Sequence, residues 1–361
     1  MGRQLTIKEI AAKAGVSAGT VDRVIHNRGK VSPEKESRVR AILKETSFKL
    51  NIHTSVISIK KSYNLVICIP EFRKGEYWGA IESGINYALE EYNDLSIISN
   101  FIAFNQFDAE SCRKAYSQII KQEPDAVILG PVFEAETRAL CKTLDKKNIP
   151  YAFVDSTIEM TNPVASFMAD QPAGGKIIFK LLNSFIGEDK DILLCRPKQV
   201  GNRESYNYTK RLEGFFEYMR EADKGFKVKE LFYSMDDSHK SANAIIKTLN
   251  ENPDVKGIAI LNSRGYFIAD ILSEKHLTDI KVACFDLSDN NVRCLKQGTI
   301  SVLLGQRPMT QGFYAVKAII EHLIYRKKEK TFIKMPIDIL MKDNLPFYKD
   351  LQAVPDKVHA H

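Results

Sequence analysis

The sequence predicts an α/β protein in two parts, a small all-α helix-turn-helix head followed by two doubly wound parallel-sheet subdomains. Three observations carry that prediction. From residue 63 almost to the end, short apolar runs alternate with helical stretches, as parallel sheets with crossover helices require. The length of 361 residues exceeds what one such core normally holds. The charge is also lopsided: residues 1–60 hold twelve Lys or Arg against five Asp or Glu, while the remaining 301 hold forty of each. The whole net charge of +7 therefore sits at the start, which suggests a polyanion-binding head on a body with another task.

Composition bounds the rest. Hydrophobic residues make up 44% and charged ones 27% of the chain, a soluble globular balance. No run approaches the ~20 apolar residues needed to span a bilayer. The opening "MGRQLTIKEI" lacks an apolar core with a small-residue cleavage site, so a cytoplasmic protein is expected rather than a secreted one. The cysteines at 68, 112, 141, 195, 284 and 294 are scattered, with no CxxC pair. Buried thiols in a reducing compartment are expected, and neither disulfides nor a metal site. No GxSxG, P-loop or HExxH pattern occurs and the seven histidines are dispersed, so no enzyme activity and no cofactor are expected.

In the head, Thr6 is placed to cap a helix whose apolar positions Ile7, Ile10, Ala11 and Ala14 recur at helical spacing. Glu9 follows three residues later, completing a capping box, and Gly15 can end the helix at positive φ. Ser17 is placed to cap a second helix with Val21, Val24 and Ile25 on one face. Ala11 is small enough for close helix approach, and its spacing to Gly15 and Val21 marks a helix-turn-helix whose second helix enters the major groove. A third helix starts at Ser32 with Pro33 in its first turn, Glu34 and Glu36 near its positive end, and Val39, Ile42 and Leu43 facing inward.

In the body, "NLVICI", "LSIISNFIAF", "DAVILG" and "PYAFVD" read as strands, each of the first three followed by a helix. "VASFMA" opens a second series through "DILLCR", "KVKELFY", "GIAIL" and "VACFD". "SVLLGQ", a long helix from Thr310 and a last strand near Ile337 follow. Ligands of such sheets bind at the carboxyl ends of the strands.

The stretch "TIKEIAAKAGVSAGTVDRVIHNRGKVSPEKESRVRAIL" resembles the head of the LacI family of bacterial transcription regulators nearly position for position over residues 6–48. The resemblance implies a double-stranded, roughly palindromic DNA operator read by a homodimer. It places Ala18 and Gly19 at the family's variable base-reading positions and Arg23 at the arginine that reaches a base edge. Ser17, Thr20 and Thr6 match phosphate-holding positions, although capping alone also accounts for Ser17 and Thr6. Asn27, Arg28 and Lys30 follow as further phosphate contacts. The segment "FKLNIHTSVISIKK" matches the family's hinge loosely, with Ile57 at the position of the minor-groove wedge, and a plain extended linker remains the alternative.

Residues 63–340 resemble, more loosely, the periplasmic-binding-protein-like sensor of the same family, particularly its ribose-binding branch. Shared landmarks are "ADQPAGGKI", "RLEGF", "VACFD" and "LKQGTISVLLGQRPMTQGFYAVKAI". The resemblance implies a head at 1–49, a hinge at 50–61 and an effector-binding and dimerisation domain at 62–361. That domain divides into one subdomain of about 62–169 with 307–334 and another of about 170–306 with 335–361. Tyr77 and Trp78 match an aromatic pair that lies on a sugar ring, although either could belong to the core of the first helix. Arg211 and Asp286 match positions that bind ligand hydroxyls from opposite sides of the cleft, and Asn262, Gln306 and Asp155 match weaker ones. The implied function is a ligand-responsive transcription regulator of repressor type with a carbohydrate effector. A solute-binding protein of a transport system is the alternative, and it would have no use for a basic head.

Overall fold

The computed structural model describes residues 7–25, 31–45, 62–187, 189–198, 206–222, 227–348 and 350. The chain separates into two compact units, Met1–Ile59 and Lys60–His361.

Among the described residues, the first unit is built on three helices, α1 (Ile7–Ala14), α2 (Ala18–Ile25) and α3 (Pro33–Glu45). Their shared core is Ile10, Ala11, Ala14, Val21, Val24 and Val39, with Val16, Val31, Ile42 and Leu43 packed against it. Gly15 ends α1 at φ +62. Its N–H donates to the Ala12 carbonyl, and the Val16 N–H donates to that of Ala11 at 3.0 Å, the paired bonds of a Schellman cap. Ser17 then caps α2, its Oγ accepting the Thr20 N–H at 3.2 Å. This turn is therefore specified locally, by one left-handed glycine and one hydroxyl.

Among the described residues, the second unit contains two six-stranded sheets. The first draws on β1 (Tyr63–Pro70), β2 (Ile97–Phe104), β3 (Ala126–Leu129), β4 (Tyr151–Val154), β5 (Ala165–Ala169) and β11 (Thr331–Met335), in the order β11-β5-β4-β3-β1-β2. The second draws on β6 (Asp191–Pro197), β7 (Val228–Tyr233), β8 (Val255–Ile260), β9 (Lys281–Phe285), β10 (Val302–Gly305) and β12 (Asp338–Leu340), in the order β12-β10-β9-β8-β6-β7. Pairing is parallel throughout except for β12, which runs antiparallel to β10. The two sheets thus repeat one strand order and differ in the direction of the edge strand, β11 or β12. Strands β3, β4 and β10 are buried along their whole length, which is why they read as unbroken apolar runs. The single last strand expected near Ile337 resolves into two, β11 and β12, one on each sheet.

Helices α4 (Tyr77–Glu91), α5 (Ala109–Lys121) and α6 (Glu134–Lys146) link the first strands. Helices α7 (Gln171–Ile186), α8 (Tyr206–Ala222), α9 (Ser238–Glu251), α10 (Gly265–Glu274), α11 (Asp289–Gln297) and α12 (Pro308–Leu323) follow. Two of them change sides. Helix α7 leaves β5 of the first sheet and packs on α8, β8 and β9, while α12 leaves β10 of the second sheet and packs on α4, β4 and β5. Each makes a glycine crossing. A Cβ on Gly84 would collide with the Met309 carbonyl, and one on Gly312 with that of Ile81. In the repeat, Gly175 lies against the Arg211 carbonyl and Gly214 against that of Pro172. Backbone-to-backbone approach at these points sets where the N-terminal halves of α4 and α8, with Tyr77 and Arg211, come to rest.

Candidate functional site

The two sheets present the carboxyl ends of β4 and β9, and each ends in an aspartate with a left-handed backbone, Asp155 at φ +71 and Asp286 at φ +69. Aspartate is among the few non-glycine residues that tolerate this region. Main-chain bonds over-determine both turns. The Asp155 N–H donates to the Phe167 carbonyl at 3.0 Å and to Gln311 Oε1 at 2.7 Å, and the Asp286 N–H donates to the Leu304 carbonyl at 2.9 Å.

Arg211, 6% exposed, lies among groups from four elements. Its Nε donates to Gln171 Oε1 at 2.6 Å, one terminal nitrogen to the Leu261 carbonyl at 3.1 Å and the other to Gln306 Oε1 at 2.9 Å. Its guanidinium carbon stands 4.0 Å from the centroid of the Phe285 ring, a cation–π contact strengthened by desolvation. Gln306 passes the chain of bonds onward. Its Nε2 donates to Asp286 Oδ1 at 2.6 Å, and its carbonyl accepts from Gln311 Nε2 at 2.8 Å. Gln311 also donates to the Tyr77 hydroxyl at 3.2 Å. From the second subdomain, Asn207 Nδ2 reaches Asp155 Oδ2 directly at 2.7 Å. Tyr77, Asp155, Arg211, Asp286 and Gln306 are therefore brought into one polar network that joins both subdomains.

Trp78 and Asn262 take other places. Trp78 is 7% exposed, its ring over Gly130 at the end of β3 and edge-on to Tyr77 with centroids 5.5 Å apart. Asn262 Oδ1 accepts the Arg264 N–H at 2.8 Å, so one of its polar ends closes a local turn. A cavity of about 620 Å³ is lined by Tyr77, Asp286 and Gln306 together with Met309 and Tyr348, a volume suited to a small molecule. A wider groove of about 1240 Å³ between α6 and α8 contains none of the sequence-predicted residues.

Burial dominates the electrostatics. It pushes the Asp155 carboxyl up to about 6, opposed by the Arg211 charge and the hydrogen bond from Tyr77. Asp286 is raised for the same reason, with Arg211 and Gln306 opposing. Burial likewise raises the Tyr77 phenol, with the two carboxylates adding to it. A carboxyl whose folded-state value lies above its unfolded value stabilises the fold below the unfolded value and loses that contribution as pH rises through the folded one. For Asp155 the span from the ordinary carboxyl value of 3.8 to about 6 corresponds to about 3 kcal/mol. Asp155→Asn is expected to flatten the fall in thermal stability as pH rises from about 3.8 to about 6. Circular-dichroism melts of both proteins across that range check this, and parallel curves would contradict it.

In the head, Ala18 and Gly19 are exposed at the start of α2, and a Cβ on Gly19 would meet nothing nearer than Ser17 Oγ at 4.0 Å. Arg23 is exposed one turn further on, on the same helix face as Gly19. Ser17 Oγ and Thr20 Oγ1 are 2.9 Å apart. Thr6, Asn27, Arg28, Lys30 and Ile57 lie outside the described residues. Among the described residues no His/Cys/Asp/Glu group is placed to hold a metal, no helix is long and apolar enough to cross a membrane, and the six cysteines are free and buried.

Sequence reasoning missed Gln171, Asn207, Asn291 and Gln311. Each is a polar side chain on a helix with no local pattern to single it out, and each matters because of a partner distant in sequence.

Comparison with known proteins adds two family matches, the lacI family of bacterial regulatory proteins over residues 6–51 and a periplasmic binding protein domain over residues 66–328. The ribose operon repressor of Lactococcus lactis is 21% identical over 94% of this chain and 98% of that protein. The transcriptional regulator DegA of Bacillus subtilis is 24% identical over 60% of this chain, and the match spans 61% of that relative. A crystal structure from Bacteroides fragilis, assigned to the LacI transcriptional regulators, superimposes with a TM-score of 0.76 at 31% identity. It covers 80% of this chain and 100% of its own.

Proposed function

The chain belongs to the lacI family of bacterial regulatory proteins, with that family's head joined to a periplasmic-binding-protein domain, and on that premise we propose that it controls transcription from an operator whose affinity is set by an uncharged sugar or similar polyol. The observation that carries the effector reading is the network of Tyr77, Asp155, Arg211, Asp286 and Gln306 at facing strand ends. Carboxylates, amides and one guanidinium grouped beside an aromatic ring offer both donors and acceptors to hydroxyl groups, and two buried carboxylates disfavour an anionic guest. Relatives named as transcription regulators, one of them a ribose operon repressor, support a binding and switching role without catalysis. The basic head favours this reading over a transport solute-binding protein.

In this reading the protein acts as a homodimer in the cytoplasm, with two heads about one helical turn apart on a pseudo-palindromic site. Occupancy of the cleft shifts the population between arrangements of the two first subdomains and so between operator-competent and incompetent heads. Ala18 and Gly19 offer little to a base edge, so direct readout by α2 rests on Arg23. Arg23→Ala is expected to cost about 1–3 kcal/mol on the selected operator and to relax base preference at one position per half-site. Binding to an operator series altered at single positions checks this. Equal losses on operator and random DNA would make Arg23 a phosphate contact instead.

A further inference from the structure

Two side chains outside the polar network meet across the mouth of the cleft. Phe107, in the β2–α5 connection at the rim of the first sheet, is 58% exposed. The guanidinium of Arg264, in the β8–α10 connection at the rim of the second sheet, stands 4.9 Å from that ring's centroid.

Both ends of this contact are braced from their own subdomain. The Arg264 N–H donates to Asn262 Oδ1 at 2.8 Å. The neighbouring Ser263 carbonyl accepts from Asn291 Nδ2 at 2.9 Å, and Asn291 Oδ1 accepts the Tyr266 N–H at 2.8 Å. Asn291 is fully buried, and its amide also donates to the carbonyls of Phe285 and Asp286 at 3.0 and 2.9 Å. The loop that carries Arg264 and the turn that carries Asp286 are thereby tied into one piece. On the opposite rim the Phe107 N–H donates to Asn105 Oδ1 at 2.9 Å, while the Asn105 N–H donates to Ser111 Oγ at 3.0 Å. A second bond crosses the same opening, from the Asp289 N–H to the Gly75 carbonyl at 3.1 Å.

We propose that Arg264 and Phe107 form a latch across the cleft, positioning residues that set how much of the protein occupies the closed form. A planar, weakly hydrated guanidinium on a ring face gives up little of its hydration, so the contact suits a rim that opens and shuts in water. At an exposed site such a contact shifts an open–closed balance by about two- to five-fold. Because Asn291 holds both the loop that carries Arg264 and the turn that carries Asp286, closing the latch presents the Asp286 carboxylate in register with Asp155 and Tyr77. Neither Arg264 nor Phe107 enters the network itself. The consequence for effector affinity rests on the cleft being the effector site, whereas the latch as such does not.

The test uses the full chain without any added sugar and reads acrylamide quenching of Trp78, the one tryptophan in the sequence, which is buried edge-on to Tyr77, a residue that lines the cavity. Arg264→Ala and Phe107→Ala are each expected to raise the quenching constant, by about two- to five-fold where quenching follows the open population. The double variant should match the single ones, because the second substitution removes nothing further. Phe107→Tyr, which keeps the ring face, should quench like the wild type. Urea midpoints of all variants separate opening from loss of fold, and the tyrosine variant keeps the test open if an alanine variant is poorly folded. Wild-type quenching in both alanine variants, an additive double variant, or a tyrosine variant that behaves like alanine overturns the latch. A failure here leaves the effector reading intact, and a failure to find a bound sugar leaves this result unchanged.

Discussion

Replacing Arg211 by alanine is expected to lower the unfolding free energy by about 3–5 kcal/mol at pH 8, the range for leaving a buried charge without its partner. Arg211 is the positive charge that opposes the burial-driven rise in both Asp155 and Asp286. Without it, Gln171 Oε1 and the Leu261 carbonyl each lose a donor, and Gln306 Oε1 keeps only the 3.1 Å bond from Gln171 Nε2. Both carboxyls would then be pushed further up. Their protonation relieves the strain on the native state, so the loss should shrink as pH falls from the variant's raised values toward about 6, the value Asp155 already has in the wild type. Urea unfolding at pH 5.5 and pH 8 checks this. An equal loss at both values would mean that missing hydrogen bonds, and not charge burial, account for the defect. Arg211→Lys should fall between the two proteins, because a single ammonium keeps the charge but cannot reproduce the fork of three donors.

The head and the body differ in how much of each is legible in the sequence. The α1–α2 turn depends on residues within six positions of one another. Gly15 needs a left-handed backbone and Ser17 needs a free first turn to cap, so composition and spacing suffice. The central strands announce themselves by unbroken apolar runs. Site residues follow another rule. Asp155 and Asp286 stand out because each closes an apolar strand, and the family pattern marks Arg211. Gln311 looks like any polar residue near a helix start, yet its amide oxygen holds the Asp155 turn 156 residues away in sequence. Asn207 and Asn291 are hidden in the same way. The "AGG" at the start of α7 is a weak glycine signal in the sequence. Its meaning comes from α8, whose backbone at Arg211 leaves Gly175 no room for a side chain. Asn262 shows the converse, a residue matched to ligand binding whose side-chain oxygen is taken up by the Arg264 turn.

Removing residues 1–59 is expected to abolish DNA binding, with a loss of at least a thousand-fold. Phosphate neutralisation supplies most non-specific affinity and much of the specific affinity of such proteins, and the basic excess lies within residues 1–60. The cut falls where the chain divides into two units, so the body keeps both sheets and the cleft. In the intact protein, each phosphate neutralised should contribute roughly −0.9 to the slope of log affinity against log salt. The remaining fragment, close to neutral, has no comparable charge to release counterions.

The central claim is that one unit reads DNA while the other sets its affinity. It is tested by titrating a genome-selected operator with the intact chain and with residues 60–361, each with and without a monosaccharide that raises the melting temperature of the body. The account predicts that the intact chain binds, that its affinity changes at least five-fold when the sugar is added, and that the fragment binds no DNA while still being stabilised by the sugar. Operator binding by the fragment, or an intact chain whose operator affinity ignores a sugar that its body binds, would contradict it.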